Sequence, residues 1–303
     1  MSTIAIANAP VSFGAFEMTV GIDPNTPDGE AVLDAVSNAG YVGIDLGPVG
    51  YFGEGEVLAR RLSERKLGLA GAYLELPFSE PEPLRDMLPQ LDALLDALDA
   101  VRDLGPFPPR PTLGDFSDLG RRARPGQAAK DHSLGLDETR FQRFVIGVES
   151  VTDRCRRRGY EPTFHNETGT YIEAPWEIER MLDRTSVNLC LDTGHLIIGG
   201  GDPVAALRDW GPRINHIHIK DAKRAAIADI VRDAAPAEAI WERGAFCALG
   251  HGDVDLDEVL RLIHTSFSGW VVVEQDILPD AGGIAKAAAD QSANLRFLQA
   301  RGF

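Results

Sequence analysis

Three short apolar runs each end in side chains that ligate metals or move protons. They are Leu189-Cys190-Leu191-Asp192-Thr193-Gly194-His195, Asn215-His216-Ile217-His218-Ile219-Lys220-Asp221 and Trp270-Val271-Val272-Val273-Glu274-Gln275-Asp276. In a strand, alternate side chains share a face. That periodicity groups Cys190 with Asp192, His216 with His218 and Lys220, and Val272 with Glu274 and Asp276. If the three faces converge, Asp192, His218 and Glu274 meet around one point. Polar groups on the inward face of an otherwise apolar strand are costly to bury unless something binds them. A buried carboxylate such as Glu274 needs a raised pKa or a cationic partner, and a divalent ion supplies the partner. Asp192 read alone is equally a helix N-cap.

A fourth ligand is expected from Thr163-Phe164-His165-Asn166-Glu167. His165 and Glu167 share strand parity, so either can face the ion. Glu167 is the preferred ligand because a carboxylate suits a hard cation, and His165 is the alternative. The set Glu167, Asp192, His218 and Glu274 suits Mn²⁺ best, with Mg²⁺, Co²⁺ or Zn²⁺ as alternatives. Such an ion would hold two adjacent oxygens of a polyhydroxy ketone and stabilise the enediolate left when the neighbouring carbon loses a proton. Glu167 and Glu274 are then candidate bases, and Lys220, His195 or His216 candidate proton donors. Reprotonation at another carbon isomerises, return from the opposite face epimerises, and loss of a β-hydroxyl dehydrates. His165, His216, Glu75 and Asp276 are candidate substrate contacts. Asp45 and Glu17 are weaker ones, more often found as cap or surface residues.

Two glycine-rich stretches have ordinary explanations. Gly199-Gly200-Gly201-Asp202 resembles an anion-binding helix start, but the N-cap and first turn of Asp202-Pro203 account for it. Gly250-His251-Gly252-Asp253 either closes over the site or simply turns.

These groups need elements to position them. Ile4-Ala5-Ile6-Ala7 reads as a buried strand, Gly29 to Ala39 as a helix closed by Gly40, and Val42 to Gly47 as a strand. The alternation continues with a helix from Glu56 to Lys66, a strand from Leu67 to Leu76, and a leucine-rich amphipathic helix from Pro83 to Leu104. Arg110 to Phe116 is a weakly written strand among prolines, and Gly120 to Gly135 a basic surface loop. Helix Asp137 to Arg158, strand Glu161 to His165, helix Ala174 to Leu182, strand Val187 to Leu191 and helix Asp202 to Trp210 follow. After strand Ile214 to Ile219 comes an insertion at about 222–248, then helix Leu256 to His264, strand Trp270 to Glu274 and helix Ile284 to Ala300. Eight β-α units without a hairpin signal predict an α/β chain, a single (β/α)8 TIM barrel over residues 1–303, with its chemistry at the C-terminal strand ends.

The bulk numbers narrow the function classes. A hydrophobic fraction of 44% excludes a disordered chain. A formal charge of −16 opposes phosphate backbones and anionic membranes, so neither nucleic acid nor membrane is an expected partner. Cys155, Cys190 and Cys247 are widely spaced and read as free thiols in a reducing compartment. Met1 to Gly14 lacks a secretion-signal pattern. A cytoplasmic protein is therefore expected, with a small sugar or cyclitol as substrate, and a homo-oligomer is compatible with the sequence.

The same motifs carry a likeness. Leu-Asp-Thr-Gly-His followed by Gly-Gly-Asp-Pro, Arg-Ile-Asn-His-Ile-His-Ile-Lys-Asp, Leu-Gly-His-Gly-Asp-Val-Asp and Gly-Trp-Val-Val-Val-Glu-Gln-Asp resemble the xylose-isomerase-like barrel superfamily, most of all its inosose-dehydratase and sugar-phosphate isomerase/epimerase branch. The resemblance implies a metal at the barrel mouth held by a glutamate, Asp192, His218 and Glu274. Strand five reads His-Asn-Glu-Thr-Gly-Thr where the dehydratase-like pattern has two histidines, and Gly-His-Gly-Asp replaces a usual Gly-Glu-Gly. The leading expectation is a metal-dependent isomerase or epimerase of a sugar or cyclitol ketone, with an inosose-dehydratase-like lyase as the alternative. An abasic-site endonuclease and a non-catalytic sugar-binding barrel rank below both.

Overall fold

The computed structural model describes residues 3–280 and 282–303; Met1 and Ser2, the start of the stretch expected to carry no leader, and Ala281 lie outside them. The strands are β1 (Ile4–Asn8), β2 (Gly43–Ile44), β3 (Gly68–Leu69, continued by Gly71–Leu76), β4 (Arg110–Asp115), β5 (Thr163–His165), β6 (Asn188–Asp192), β7 (Ile214–Ile219) and β8 (Gly269–Val273). Neighbours pair in parallel, and β1 pairs with both β2 and β8. Only Ala70 interrupts β3. Its N–H donates to the Ile44 carbonyl at 2.9 Å and its own carbonyl accepts from the Arg110 N–H at 3.0 Å. The first half of β3 therefore pairs with β2 and the second half with β4, and the ladder closes on itself as an α/β barrel.

Helices α1 (Gly29–Ala39), α2 (Gly55–Glu64), α3 (Pro81–Asp99), α4 (Glu138–Arg157), α5 (Pro175–Arg184), α6 (Pro203–Asp209), α7 (Leu256–Ser266) and α8 (Ala285–Gln299) follow the successive strands. Aspartates cap several of them: Asp28, Asp137, Asp202 and Asp255 each accept a first-turn N–H, as short acceptors at an N-cap should. The apolar stripe of α3 buries Leu84, Leu91, Leu94, Leu95 and Leu98. That helix stops at Asp99, short of the expected Leu104, because the chain must turn to bring Gly105 under the barrel.

The floor of the barrel is filled by Trp270, which is 1% exposed. A Cβ on Gly43 would lie 2.5 Å from its ring and one on Gly105 2.8 Å, so both positions require glycine. The indole N–H donates to the Phe107 carbonyl at 3.2 Å. One ring thus seals the end of the barrel opposite the chemistry, leaving the C-terminal strand ends as the open face.

Two segments differ from their sequence reading. Gly120 to Gly135 is not merely a surface loop, because Arg121 is 2% exposed. Its guanidinium donates to the Thr170 carbonyl and pairs with Glu173 at 3.3 Å and Glu177 at 3.1 Å. A basic turn-rich stretch reads as solvated, and nothing local in it announces partners fifty residues away. The insertion at 222–248 is bracketed by a short antiparallel pair, Asp221–Ala222 with Phe246–Cys247. It carries helices Arg224–Arg232 and Ala239–Glu242 between them. Asp221 also accepts the N–H groups of Gly250, Gly252 and Val254, so Gly250-His251-Gly252-Asp253 is a turn clasped at its root. Among the described residues, no helix is long and apolar enough to cross a membrane.

Truncating the floor, Trp270→Ala, is expected to destabilise the fold by roughly 3–5 kcal/mol, read as a lowered midpoint in urea unfolding. Asp115, buried at the end of β4, has its carboxyl pushed from 3.8 up to about 7 by burial. The native state therefore holds this proton more tightly than the unfolded chain, and its contribution to stability is lost as pH rises from about 4 through about 7. Asp115→Asn should be more stable than the parent at pH 8, with the advantage shrinking toward pH 4, in paired urea titrations.

Candidate metal centre

The functional side chains sit where β5, β6, β7 and β8 end. Asp192 is the last residue of β6 and also the N-cap of a short helix, Thr193–Ile198, through a 2.9 Å bond from the His195 N–H to Oδ1. Both sequence readings of Asp192 are therefore compatible, because its second oxygen remains free to face inward. Oδ2 lies 3.3 Å from His165 Nε2 and 3.0 Å from Lys220 Nζ, the latter an ion pair without hydrogen-bond alignment. Glu274 Oε2 stands 3.1 Å from His218 Nδ1 and 2.9 Å from Lys220 Nζ. One ligand atom each from His165, Asp192, His218 and Glu274 all lie within 4.8 Å of one another.

These donors fit a cation. Asp192 Oδ2, His165 Nδ1 and both ring nitrogens of His218 have no hydrogen-bond partner, although all three residues are buried. Buried polar atoms are normally satisfied, and two imidazoles with two carboxylates form a mixed N/O set suited to Mn²⁺, Co²⁺ or Zn²⁺. Asp45 Oδ2 lies 3.4 Å from His218 Nε2, the placement of an outer carboxylate that orients a histidine ligand.

The electrostatics follow from packing. Burial pushes the Glu274 carboxyl up, but His218 and Lys220 outweigh it and hold that carboxyl well below its usual range. Asp192 is likewise held low against burial by Lys220, His195 and His165. Burial works against charge on Lys220 too, yet Asp192, Asp276 and Glu274 keep its ammonium well above its ordinary value. His165, by contrast, is pushed down by burial to about 4, which leaves its ring neutral and able to ligate. Glu167 goes the other way, raised by burial to about 7 despite His195 and Lys220.

The family model for the xylose isomerase-like TIM barrel matches residues 33–300. The chain belongs to that family. Within it, the chain is 25% identical over 278 residues to an inosose dehydratase of Geobacillus kaustophilus (strain HTA426), covering 89% of this chain and 87% of the relative. Among solved structures it is similar to the probable 3-DHS dehydratase AsbF of Bacillus anthracis, with a TM-score of 0.70 at 15% identity over 97% of this chain and 98% of that one. It is also similar to a D-allulose 3-epimerase from Methylomonas sp. in complex with D-allulose, with a TM-score of 0.65 at 15% identity over 99% and 98%.

Within this xylose isomerase-like barrel the sequence-predicted residues are distributed unevenly. Asp192, His218 and Glu274 are brought together, and His165 completes the group of four. Glu167 stands beside that group: its Oε2 is 3.4 Å from His165 Nδ1 and its Oε1 3.2 Å from His195 Nδ1. Strand parity leaves His165 and Glu167 equal, and the preference for Glu167 rests on the match of a carboxylate to a hard cation. β5 ends at His165, and Glu167 instead opens a turn in which its N–H donates to the Ile172 carbonyl. His195 and Asp276 flank Lys220, at 2.9 Å and 3.0 Å from Nζ. Glu75 lies apart, half-buried, between the Tyr73 hydroxyl at 3.2 Å and Arg122 at 2.7 Å. His216 is wholly buried next to His218 and offers no exposed surface to a substrate.

Four supporting residues escaped the sequence reading, and Asp45 was underrated as a cap or surface group. The Asn166 side chain exchanges two hydrogen bonds with the Asp192 backbone, at 3.1 Å and 2.9 Å, locking the ends of β5 and β6 together. Thr168 Oγ1 bonds His195 Nδ1 at 2.7 Å. Thr193 Oγ1 donates to the Lys220 carbonyl and accepts its N–H, both at 2.8 Å. A Cβ on Gly194 would come within 2.7 Å of both Lys220 Cβ and the Phe246 ring, so the Asp-Thr-Gly-His motif needs its glycine for close packing.

The purified chain is expected to retain one divalent ion, counted by elemental analysis. Asp192→Asn and His218→Gln should each weaken Mn²⁺ binding by roughly 100-fold or more in calorimetric titration, whereas Glu75→Gln should leave it near the parent value.

Proposed function

We propose that this barrel removes a proton from the carbon beside the carbonyl of a polyhydroxy ketone of sugar or cyclitol type and completes the reaction by expelling water. His165, Asp192, His218 and Glu274 would hold the divalent ion, which supplies electrophilic stabilisation to the substrate's carbonyl and neighbouring hydroxyl oxygens. Glu167 is the base. Its carboxyl, raised to about 7, is poised to exchange a proton near neutral pH, and it borders the four without belonging to them. His195 and Lys220, 2.9 Å apart, form the acid side that protonates the departing hydroxyl, with Asp276 and Thr168 fixing their orientation.

The observation that carries this reading is the asymmetry of the acids. Glu274 is one of the four that converge, whereas Glu167 borders them, 3.4 Å from His165 Nδ1 and 3.2 Å from His195 Nδ1, so Glu167 is the carboxyl placed to take up and return a proton. Epimerisation by two opposed bases would need a second such group across the substrate. One base adjoining a His/Lys pair, with Glu167 Oε1 3.2 Å from His195 Nδ1, suits elimination in which proton and hydroxyl leave from one side, and the inosose dehydratases among the relatives support the same direction and a cyclitol ketone as substrate class. Isomerisation or epimerisation, the leading expectation from sequence, shares the first proton transfer and diverges only at the second step.

The two outcomes separate in deuterated water. With Mn²⁺ and a keto-inositol, a product lighter by one water supports the proposal, while a deuterium-labelled product of unchanged oxygen content overturns it in favour of isomerisation or epimerisation. Glu167→Gln should lower kcat by about 100- to 10,000-fold with little change in KM, and should abolish the rise in kcat/KM through pH 7.

A further inference from the structure

Cys190 shares the inward face of β6 with Asp192 and lies deeper in the barrel, fully buried. Its Sγ and one ring nitrogen each from His165 and His218 lie within 4.8 Å of one another. The proposed reaction makes no use of this thiol. Both imidazoles beside it carry unpartnered nitrogens although buried. A sulfur and two imidazole nitrogens form a softer donor set than the carboxylate-bearing four. Thiolate favours zinc, cadmium and copper(I) over manganese and magnesium, and three protein ligands leave an open coordination position.

We propose that the barrel has a second ion position, formed by His165, Cys190 and His218, which takes a soft divalent ion such as zinc in place of the hard ion held with Asp192 and Glu274. The two positions share both histidines, so they are alternatives and only one is filled at a time. Coordination replaces the S–H bond by an S–metal bond, and the proton leaves to solvent. Zinc seated there is drawn away from Asp192 and Glu274 and from any substrate above them, so zinc and cadmium antagonise an ion that supports turnover. This last consequence rests on the function proposed above; the existence of the position does not.

The test uses metal-free full-length protein and single metals. Titration of the parent with Cd²⁺ should produce the ultraviolet thiolate-to-cadmium charge-transfer band, absent from Cys190→Ser and Cys190→Ala. Cadmium affinity, measured against a chromophoric chelator, should fall on the order of 100-fold in both variants, while Mn²⁺ affinity stays near the parent value. A parent Cd²⁺ spectrum without that band overturns the proposal with no variant needed, as does equal cadmium affinity in parent and variants. The failures are distinguishable: a thiolate band without any Mn²⁺ binding would leave this position standing and sink the carboxylate site, and normal Mn²⁺ binding without the band does the reverse.

Discussion

The mouth of this barrel is governed by the need to bury ionised carboxylates. Asp192 and Glu274 lie at the ends of β6 and β8 with almost no exposure to water, and a buried charge without a partner costs several kcal/mol. Lys220 answers that cost from the end of the intervening strand β7, and so does His218 until it gives up its proton on ligating an ion, both placed there by the alternation of His216, His218 and Lys220 along one face. The pairing is incomplete by geometry. Several donor atoms remain unpartnered, and a cation among them would satisfy them together. The fold closes around this problem: Trp270 seals the far end, Asn166 ties β5 to β6, and Thr193 ties the β6 end to β7.

The same arrangement separates the roles of chemically similar groups. Glu274 and Glu167 have the same side chain, yet one is fixed low by its cationic neighbours and the other is lifted toward neutrality by burial against weaker opposition. Under the proposed function, that difference divides holding from proton transfer between the two carboxyls. The Arg121 cluster with Glu173 and Glu177 contributes at one remove. It grips the Thr170 carbonyl, and so fixes the turn after β5 from which Glu167 projects.

Much of this was legible in the chain. Apolar runs with period two, helices with leucines every third or fourth residue and aspartate caps gave the β-α alternation, since each of those signals is local. The convergence of Asp192, His218 and Glu274 followed from parity along strands long enough to keep their phase. Parity left His165 and Glu167 undecided, because the strand ends at His165 and a loop sets the direction of Glu167. Ala70 gave no hint of the break in β3, being as apolar as its neighbours. Asn166, Thr168 and Arg121 stayed hidden for a common reason: their partners are distant in sequence, and polar residues in loops read as solvated. Asp45 was underrated because the histidine it faces lies on a strand remote in the chain.

The central claim is that four side chains from β5 to β8 converge on one divalent ion. Crystals grown with Mn²⁺ and measured at the manganese absorption edge test it most directly. The account predicts a single strong anomalous peak at bonding distance from His165, Asp192, His218 and Glu274, with Glu167 beside the ion and not on it. A peak elsewhere, or none at these four residues at saturating Mn²⁺, would contradict it.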